Sequence, residues 1–249
     1  MPLPTFSVLV PARLAARRAV ARDQIEVEIA VAPALRAAHA RPGQFVKIGV
    51  TDEAGVTQEG IFAMANAPGE PVGVGPALRF LLRTNNPEGG EAAARLSTLP
   101  LGARVLVSEP TGTGFDLTRS NGKRLCFVAT GTAIAPVRAG LEAALASDVV
   151  PRTISLDFGL RSPAHLPIAA DLERWSAAGV DTHLHYSEPR EDGTVWGTRA
   201  HDALLARLEA DGAARDAFVV AVGQPEMVRE LRARLVAMGG RAEDVVSNY

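Results

Sequence analysis

From residue 5 to residue 108 the apolar segments are short and are separated by turn-forming residues. Ile25, Val27, Ile29 and Val31 keep a strict period of two, the signature of a strand with one buried face. The same reading predicts strands at 5–10, 24–31, 44–50, 61–65, 77–84 and 104–108, with one short helix at 91–98. Pro42-Gly43 and the stretches 52–55, 68–76 and 85–90 supply the turns. Six short strands at hairpin-like spacing predict a small antiparallel barrel or sandwich.

Past residue 122 the period changes. Residues 124–130 form the continuous apolar run of a strand buried on both faces, and Gly131 leads into a helical stretch at 135–146. Strands at 153–158, 180–186, 217–222 and 244–247 then alternate with helices at 164–178, 200–209 and 226–238. Such alternation predicts an open parallel sheet wrapped by helices. The boundary falls between Asp116 and Gly122, so two domains are expected: a β domain over 1–118 and an α/β domain over 119–249.

Composition narrows the chemistry. The 249 residues carry 26 Lys+Arg against 28 Asp+Glu, a net charge of -2, without the clustered basic excess of a nucleic-acid surface. No apolar run approaches the ~18 residues of a membrane span, and Met1-Pro2-Leu3-Pro4 does not open a signal peptide, so a cytoplasmic protein is expected. The single Cys126 excludes an intrachain disulfide, a zinc ribbon and a cysteine-ligated iron–sulfur cluster. His39, His165, His183, His185 and His201 show no metal-ligand spacing with carboxylates; His183 and His185 share one strand face and form at most a two-ligand clip. No metal site is predicted. Redox chemistry would need a dissociable organic cofactor or a partner's metal.

In an open parallel sheet, ligands bind beyond the carboxyl ends of the strands. The first such loop here is Thr130-Gly131-Thr132-Ala133-Ile134-Ala135-Pro136. Gly131 lets the chain turn sharply out of its strand, and Pro136 suits a first helical turn, where free N–H groups favour a phosphate. A second junction, Val222-Gly223-Gln224-Pro225-Glu226-Met227, opens another helix at the same edge. Two such junctions aimed at one edge point to a nucleotide.

These residues, taken with others in order along nearly the whole chain, resemble the ferredoxin–NADP reductase-like flavoproteins. Arg41 to Val46 is similar to the Pro-Gly-Gln-(Phe/Tyr) start of a barrel strand, and Gly60 to Pro68 to the flavin motif Arg-x-(Tyr/Phe)-Ser-(Ile/Leu)-Ala-Ser. Leu96 to Val105 resembles Leu-x-x-Leu-x-x-Gly-Asp-x-Val, and Glu109 to Phe115 the turn that follows it. Thr130 to Pro136 is similar to Gly-Gly-Thr-Gly-Ile-Ala-Pro, Phe158 to Pro163 to Tyr-Gly-x-Arg-(Thr/Ser)-Pro, and Gly223 to Met227 to Cys-Gly-Pro-x-x-Met. Asn248-Tyr249 resembles the aromatic end of several members.

The resemblance implies an FAD-binding antiparallel β-barrel of six strands followed by an NAD(P)-binding α/β domain. For FAD it singles out Phe62, Ala63, Met64, Ala65 and Asn66, with Gly90, Ala93 and Thr111. For the coenzyme it singles out Gly131, Thr132, Ala133, Pro136, Gly159, Arg161, Ser187, Glu188, Gly223, Gln224, Pro225 and Met227. Ala63, Val222 and Tyr249 occupy the positions next to the reacting rings. The chain departs from the family at Gly60 (Arg), Ala63 (Ser), Ala93 (Ser/Thr), Val222 (Cys) and Ala133 (Gly). Arg83, Arg79 and Arg95 are candidates to replace the lost pyrophosphate cation.

The implied function is hydride transfer from NAD(P)H to FAD, with electrons passed to an external carrier protein or small acceptor. Glu188 at the end of the third α/β strand favours NADH, because a carboxylate repels a 2′-phosphate; Arg161 and Arg190 oppose that preference. The arginine-rich run from Arg13 to Arg18, read as a loop between the first two strands, offers a docking face for an acidic carrier. The departures support a second reading, a degenerate member with weak or no flavin acting as a nucleotide-binding regulatory subunit.

Overall fold

The computed structural model describes residues 6–84, 90–189 and 197–248. Its first half is an antiparallel sheet of β1 (Val10–Ala21), β2 (Gln24–Ala30), β3 (Phe45–Thr51), β4 (Thr57–Ala63), β5 (Ala77–Arg83) and β6 (Arg104–Val107). The strands run in the order β4-β3-β6-β1-β2-β5, so β4 and β5 are the two ends of the ladder. Those ends are stitched together just past β4. The Ala65 N–H donates to the Arg79 carbonyl at 2.8 Å, and the Arg79 N–H donates to Asn66 Oδ1 at 2.9 Å. The sheet thus curls into the expected six-stranded barrel, closed by two hydrogen bonds and not by a full ladder. Leu14, Val27, Ile29, Val46, Ile48, Phe80 and Leu96 fill its interior.

Two short helices, α1 (Pro33–Ala37) and α2 (Gly90–Thr98), decorate the barrel. The first was not expected; Pro33 at its first position nucleates one turn that buries Leu35. The largest correction concerns β1. The strand begins at Val10, where the expected one ended, and the arginine run read as a loop lies inside it. Ala12 and Leu14 point inward and Arg13 outward, and a register shift between Leu14 and Ala16 breaks the alternation. With alanine on both faces, the segment lacks the bulky period-two signal of a strand. Arg13 and Arg17 are spent locally, on the carbonyl of Gly102 and on those of Ser97 and Leu99.

The second half is a parallel sheet in the order β11-β10-β7-β8-β9. In chain order its elements are β7 (Arg124–Thr130), α3 (Ile134–Ala146), β8 (Thr153–Leu160), α4 (Ala169–Ala177), β9 (Val180–Tyr186), α5 (Ala200–Ala210), β10 (Ala217–Val222), α6 (Pro225–Ala237) and β11 (Val245–Val246). Phe127, Phe158, Phe218 and Trp175 pack on one face, while Cys126, Val128, Val219, Leu204 and Leu231 pack on the other. This doubly covered sheet is what the unbroken apolar run of β7 predicted. The fourth helix starts at Ala169 and not at 164, because residues 163–165 form a separate 3-10 turn behind Pro163.

The halves meet along a polar seam. The Arg22 N–H donates to the Ala164 carbonyl at 2.9 Å, and Gln24 Nε2 to the His165 carbonyl at 3.0 Å. Phe115, on the connection between β6 and β7, lies over Gly43: a Cβ there would sit 2.7 Å from its ring. The Pro-Gly pair is therefore a cradle for the linker as well as a turn. No helix among the described residues is long and apolar enough to cross a membrane.

Candidate functional site

The loop after β7 turns at Gly131, which has φ +55°, passes through one 3-10 turn (Gly131–Ala133) and enters α3. No side chain caps α3, but the Ile134 N–H at its start already donates back to the Gly131 and Thr132 carbonyls and Pro136 has no N–H, so the N–H groups without a helical acceptor are those that open the 3-10 turn. The loop after β10 approaches from the side: a Cβ on Gly223 would lie 2.4 Å from Thr130 Oγ1 and 3.0 Å from Met227 Cε. Glycine is required there by proximity. Gly159 at the end of β8 closes on Thr130 in the same way, since a Cβ on it would lie 3.2 Å from Thr130 Cγ2.

Two cavities open at this edge. The smaller, about 290 Å³, lies between the barrel and α3, walled by Ile61, Phe62 and Ala63 of β4, Leu81 and Arg83 of β5, Ala93 of α2, and Thr132, Ala133, Ala135 and Pro136. The larger, about 800 Å³, runs along the carboxyl edge of the parallel sheet past Gly131, Gly159, Arg161, Ser187, Gly223, Gln224 and Met227. Arg83, Thr132, Ala133, Val222 and Asn248 line both. The two cavities therefore meet, and two ligands filling them would touch beside Val222.

Most of the sequence-predicted residues come together here, but not all. Met64, Ala65 and Asn66 are buried and serve the barrel seam. Thr111 pairs with Phe45 through two backbone hydrogen bonds and lines neither cavity. Gly90 starts α2 with φ +77°, while Pro225 starts α6; both shape the walls without forming them. Glu188 is also outside both linings; its N–H donates to the Arg161 carbonyl at 2.9 Å. Tyr249 and Arg190 lie outside the described residues.

Of the three arginines considered for the pyrophosphate, Arg79 is engaged by Glu26, Glu28 and Glu70, and Arg95 by Asp52 and Glu91. Arg83 alone of these reaches the cavities, held from behind by Asp23 with 3.6 Å between Nε and Oδ2. Asn248, which also lines both cavities, has a buried Oδ1 without a hydrogen-bond partner, an acceptor that a polar ligand could satisfy. At Gly60, a Cβ would lie 2.8 Å from the Phe62 ring, so Phe62 fills the space beside the missing arginine.

The outer end of the larger cavity holds groups to which the sequence reading gave no part in coenzyme binding: His185, Arg199, His201, Glu226 and Glu230. The start of α5 at the sheet's carboxyl edge was the available signal. His185 Nε2 donates to Oδ1 of the fully buried Asp157 at 2.9 Å, and both oxygens of that carboxylate accept from Arg207. His183 pairs with Asp181, so the two histidines form no clip. Contrary to the sequence expectation, one histidine does meet carboxylates: His201, Asp202 and Glu230 offer atoms within 4.8 Å of one another. Arg199 and Arg234 already neutralise those two carboxylates.

Residues 127–233 match the oxidoreductase NAD-binding domain family. No protein of curated function matches the sequence. Among solved structures, a ferredoxin NADP+ reductase from Neisseria gonorrhoeae with bound FAD and NADP superposes with a TM-score of 0.77 at 17% identity, covering 98% of this chain and all of that one (100%). A cytochrome P450 reductase from Amycolatopsis gives 0.78 at 21% identity, over 98% of this chain and 69% of that one. A flavohemoglobin from Malassezia yamatoensis with bound FAD and heme gives 0.73 at 18% identity; 97% of this chain is covered, but it spans only 60% of that protein. Residues 127–233 are thus similar to the oxidoreductase NAD-binding domain family, and the chain as a whole shares the two-part fold of these solved reductases.

Proposed function

We propose that the protein is an NAD(P)H-dependent flavin oxidoreductase, with the coenzyme along the larger cavity and the flavin ring of FAD in the smaller. The observation that carries this reading is the junction of the two cavities at Arg83, Thr132, Ala133, Val222 and Asn248. When bound, flavin and nicotinamide supply the hydride chemistry themselves, and the protein's part is to hold and orient them.

Each wall has a task in that scheme. The N–H groups opening the 3-10 turn at Gly131–Ala133 would meet pyrophosphate oxygens, and Arg83, which lines both cavities, would add a positive charge. Phe62 and Ala63 would hold the flavin from the barrel side, and Val222, 5% exposed, would shield the meeting point from water. Ala63 and Val222 bring no hydroxyl or thiol to that point, so turnover slower than in relatives with Ser and Cys follows. Cys126 is buried inside β7 and ligates no cluster by itself; electrons leave to an external protein or small molecule.

Coenzyme preference turns on the outer end of the groove. Arg161 and Ser187 border it and Glu188 does not, which weakens the charge argument for NADH. The Phe62 ring packed over Gly60 favours the second reading, a nucleotide-binding protein without tight flavin.

The purified protein decides between them. A yellow preparation, or one reconstituted with FAD, that is bleached anaerobically by NADH or NADPH supports the reductase. Colourless protein that takes up no FAD overturns it. Titrating both coenzymes against the same sample gives the preference.

A further inference from the structure

Arg138 sits one turn inside α3, whose Ala135 and Pro136 wall the smaller cavity, yet its side chain reaches across to the barrel. The residue is 8% exposed, and its guanidinium is satisfied by hydrogen bonds on both sides of the seam. Nη1 donates to the Ala65 carbonyl at 2.9 Å and to Glu70 Oε1 at 2.9 Å; Nε and Nη2 donate to Asp171 of α4 at 2.9 and 3.4 Å. Glu70 in turn accepts from the Ala67 N–H through Oε2 at 2.7 Å, and Arg36 donates to the carbonyls of Ala67 and Glu70. Ala65 follows Ala63 by two residues and is itself bonded to Arg79 of β5, four residues before Arg83.

We propose that Arg138 is a positioning residue that fixes the coenzyme edge of the α/β half against the flavin-facing strands of the barrel. The inference rests on the reductase reading given above. One rigid planar fork holds α3, α4, the exit of β4 and, through Ala65, the end of β5. One group that touches neither ligand site therefore links both cavity walls, beside the packing of Leu81 and Phe115 across the seam. The contacts of Arg22 and Gln24 with Ala164 and His165 form a separate tether, so loss of Arg138 leaves the halves attached but free to shift. A shift of ~1 Å between reacting groups costs up to ~100-fold in rate, while each cavity by itself keeps its shape.

The test uses the full chain as wild type, Arg138→Met and, as a milder variant that keeps the arginine, Glu70→Gln. Hydrogen exchange on the flavin-free proteins reads the coupling directly: Arg138→Met should speed exchange at the Ala65 and Ala67 amides and at the start of α3 together. In FAD-loaded protein, coenzyme affinity should stay within about threefold of wild type while the saturated rate of anaerobic flavin bleaching falls by ~10–100-fold. Glu70→Gln should move both readouts the same way by less. A merely stabilising contact would lower the melting temperature and leave the saturated rate of folded, flavin-loaded protein unchanged. Unchanged exchange, or a yellow Arg138→Met protein bleached at the wild-type rate, overturns the proposal. A colourless wild-type protein overturns the reductase reading instead, and exchange still tests the coupling.

Discussion

Gly223→Ala perturbs the point where the two phosphate-side loops come closest. The added methyl would lie 2.4 Å from Thr130 Oγ1, a separation that must open beyond 3.0 Å. Thr130 ends β7, and Gly223 follows the last residue of β10, which pairs with Ala129. A β-branched side chain on a paired strand has little rotamer freedom, so the two loops have to move apart. Overpacking of this kind costs ~1–3 kcal/mol. At about 2–4 °C per kcal/mol for a chain of this size, the melting temperature should fall by roughly 2–12 °C. Coenzyme affinity should fall too, since both residues wall the larger cavity. Thermal unfolding and a coenzyme titration measure the two effects. In a double-mutant cycle with Thr130→Ala, the steric part of the penalty should vanish, because the remaining contact is the flexible end of Met227 at 3.0 Å, while the strain of a side chain at φ +157° stays. A single variant within ~0.5 kcal/mol of wild type refutes the steric argument, as does an equal penalty in the Thr130→Ala background.

Three further outcomes follow from particular side chains. Arg83→Met should weaken FAD binding by ~10–100-fold, the worth of one charge-assisted hydrogen bond, measured by quenching of flavin fluorescence; Arg95→Met, already spent on Asp52 and Glu91, should not. Burial, and secondarily the charge of Arg36, lowers the His39 pKa to about 4, so the unfolded chain binds the extra proton first on acidification. Its contribution is whole above pH 6.5 and is lost as pH falls toward 4, about 3 kcal/mol in denaturant midpoints, and His39→Gln should flatten that slope. Burial pushes the Cys126 thiol up to about 11, so a thiol reagent should label the protein only after unfolding.

Much of this was legible in the sequence because hydrophobic period reports burial directly. The unbroken run of β7, the alternation of β2 and the glycines opening α3 and α6 each identified their elements. The failures have equally local causes. In β1 alanine and arginine carry no strand period, so the register had to come from pairing with β2 and β6. The three candidate arginines were indistinguishable as letters; neighbouring carboxylates on other strands decided that Arg83 faces the cavities.

By itself, the sequence determined the two-part architecture, the edge of the parallel sheet where a nucleotide would lie, and the groups missing there at Gly60, Ala63 and Val222. Those are properties of short segments, set by local period, turn chemistry and residue type. Only the tertiary structure decided that the two cavities join, that Phe62 fills the space beside Gly60, and that Arg138 binds one half to the other. Each of these depends on distances between residues far apart in the chain, and such distances are fixed by packing across the seam and not by any pattern along the sequence.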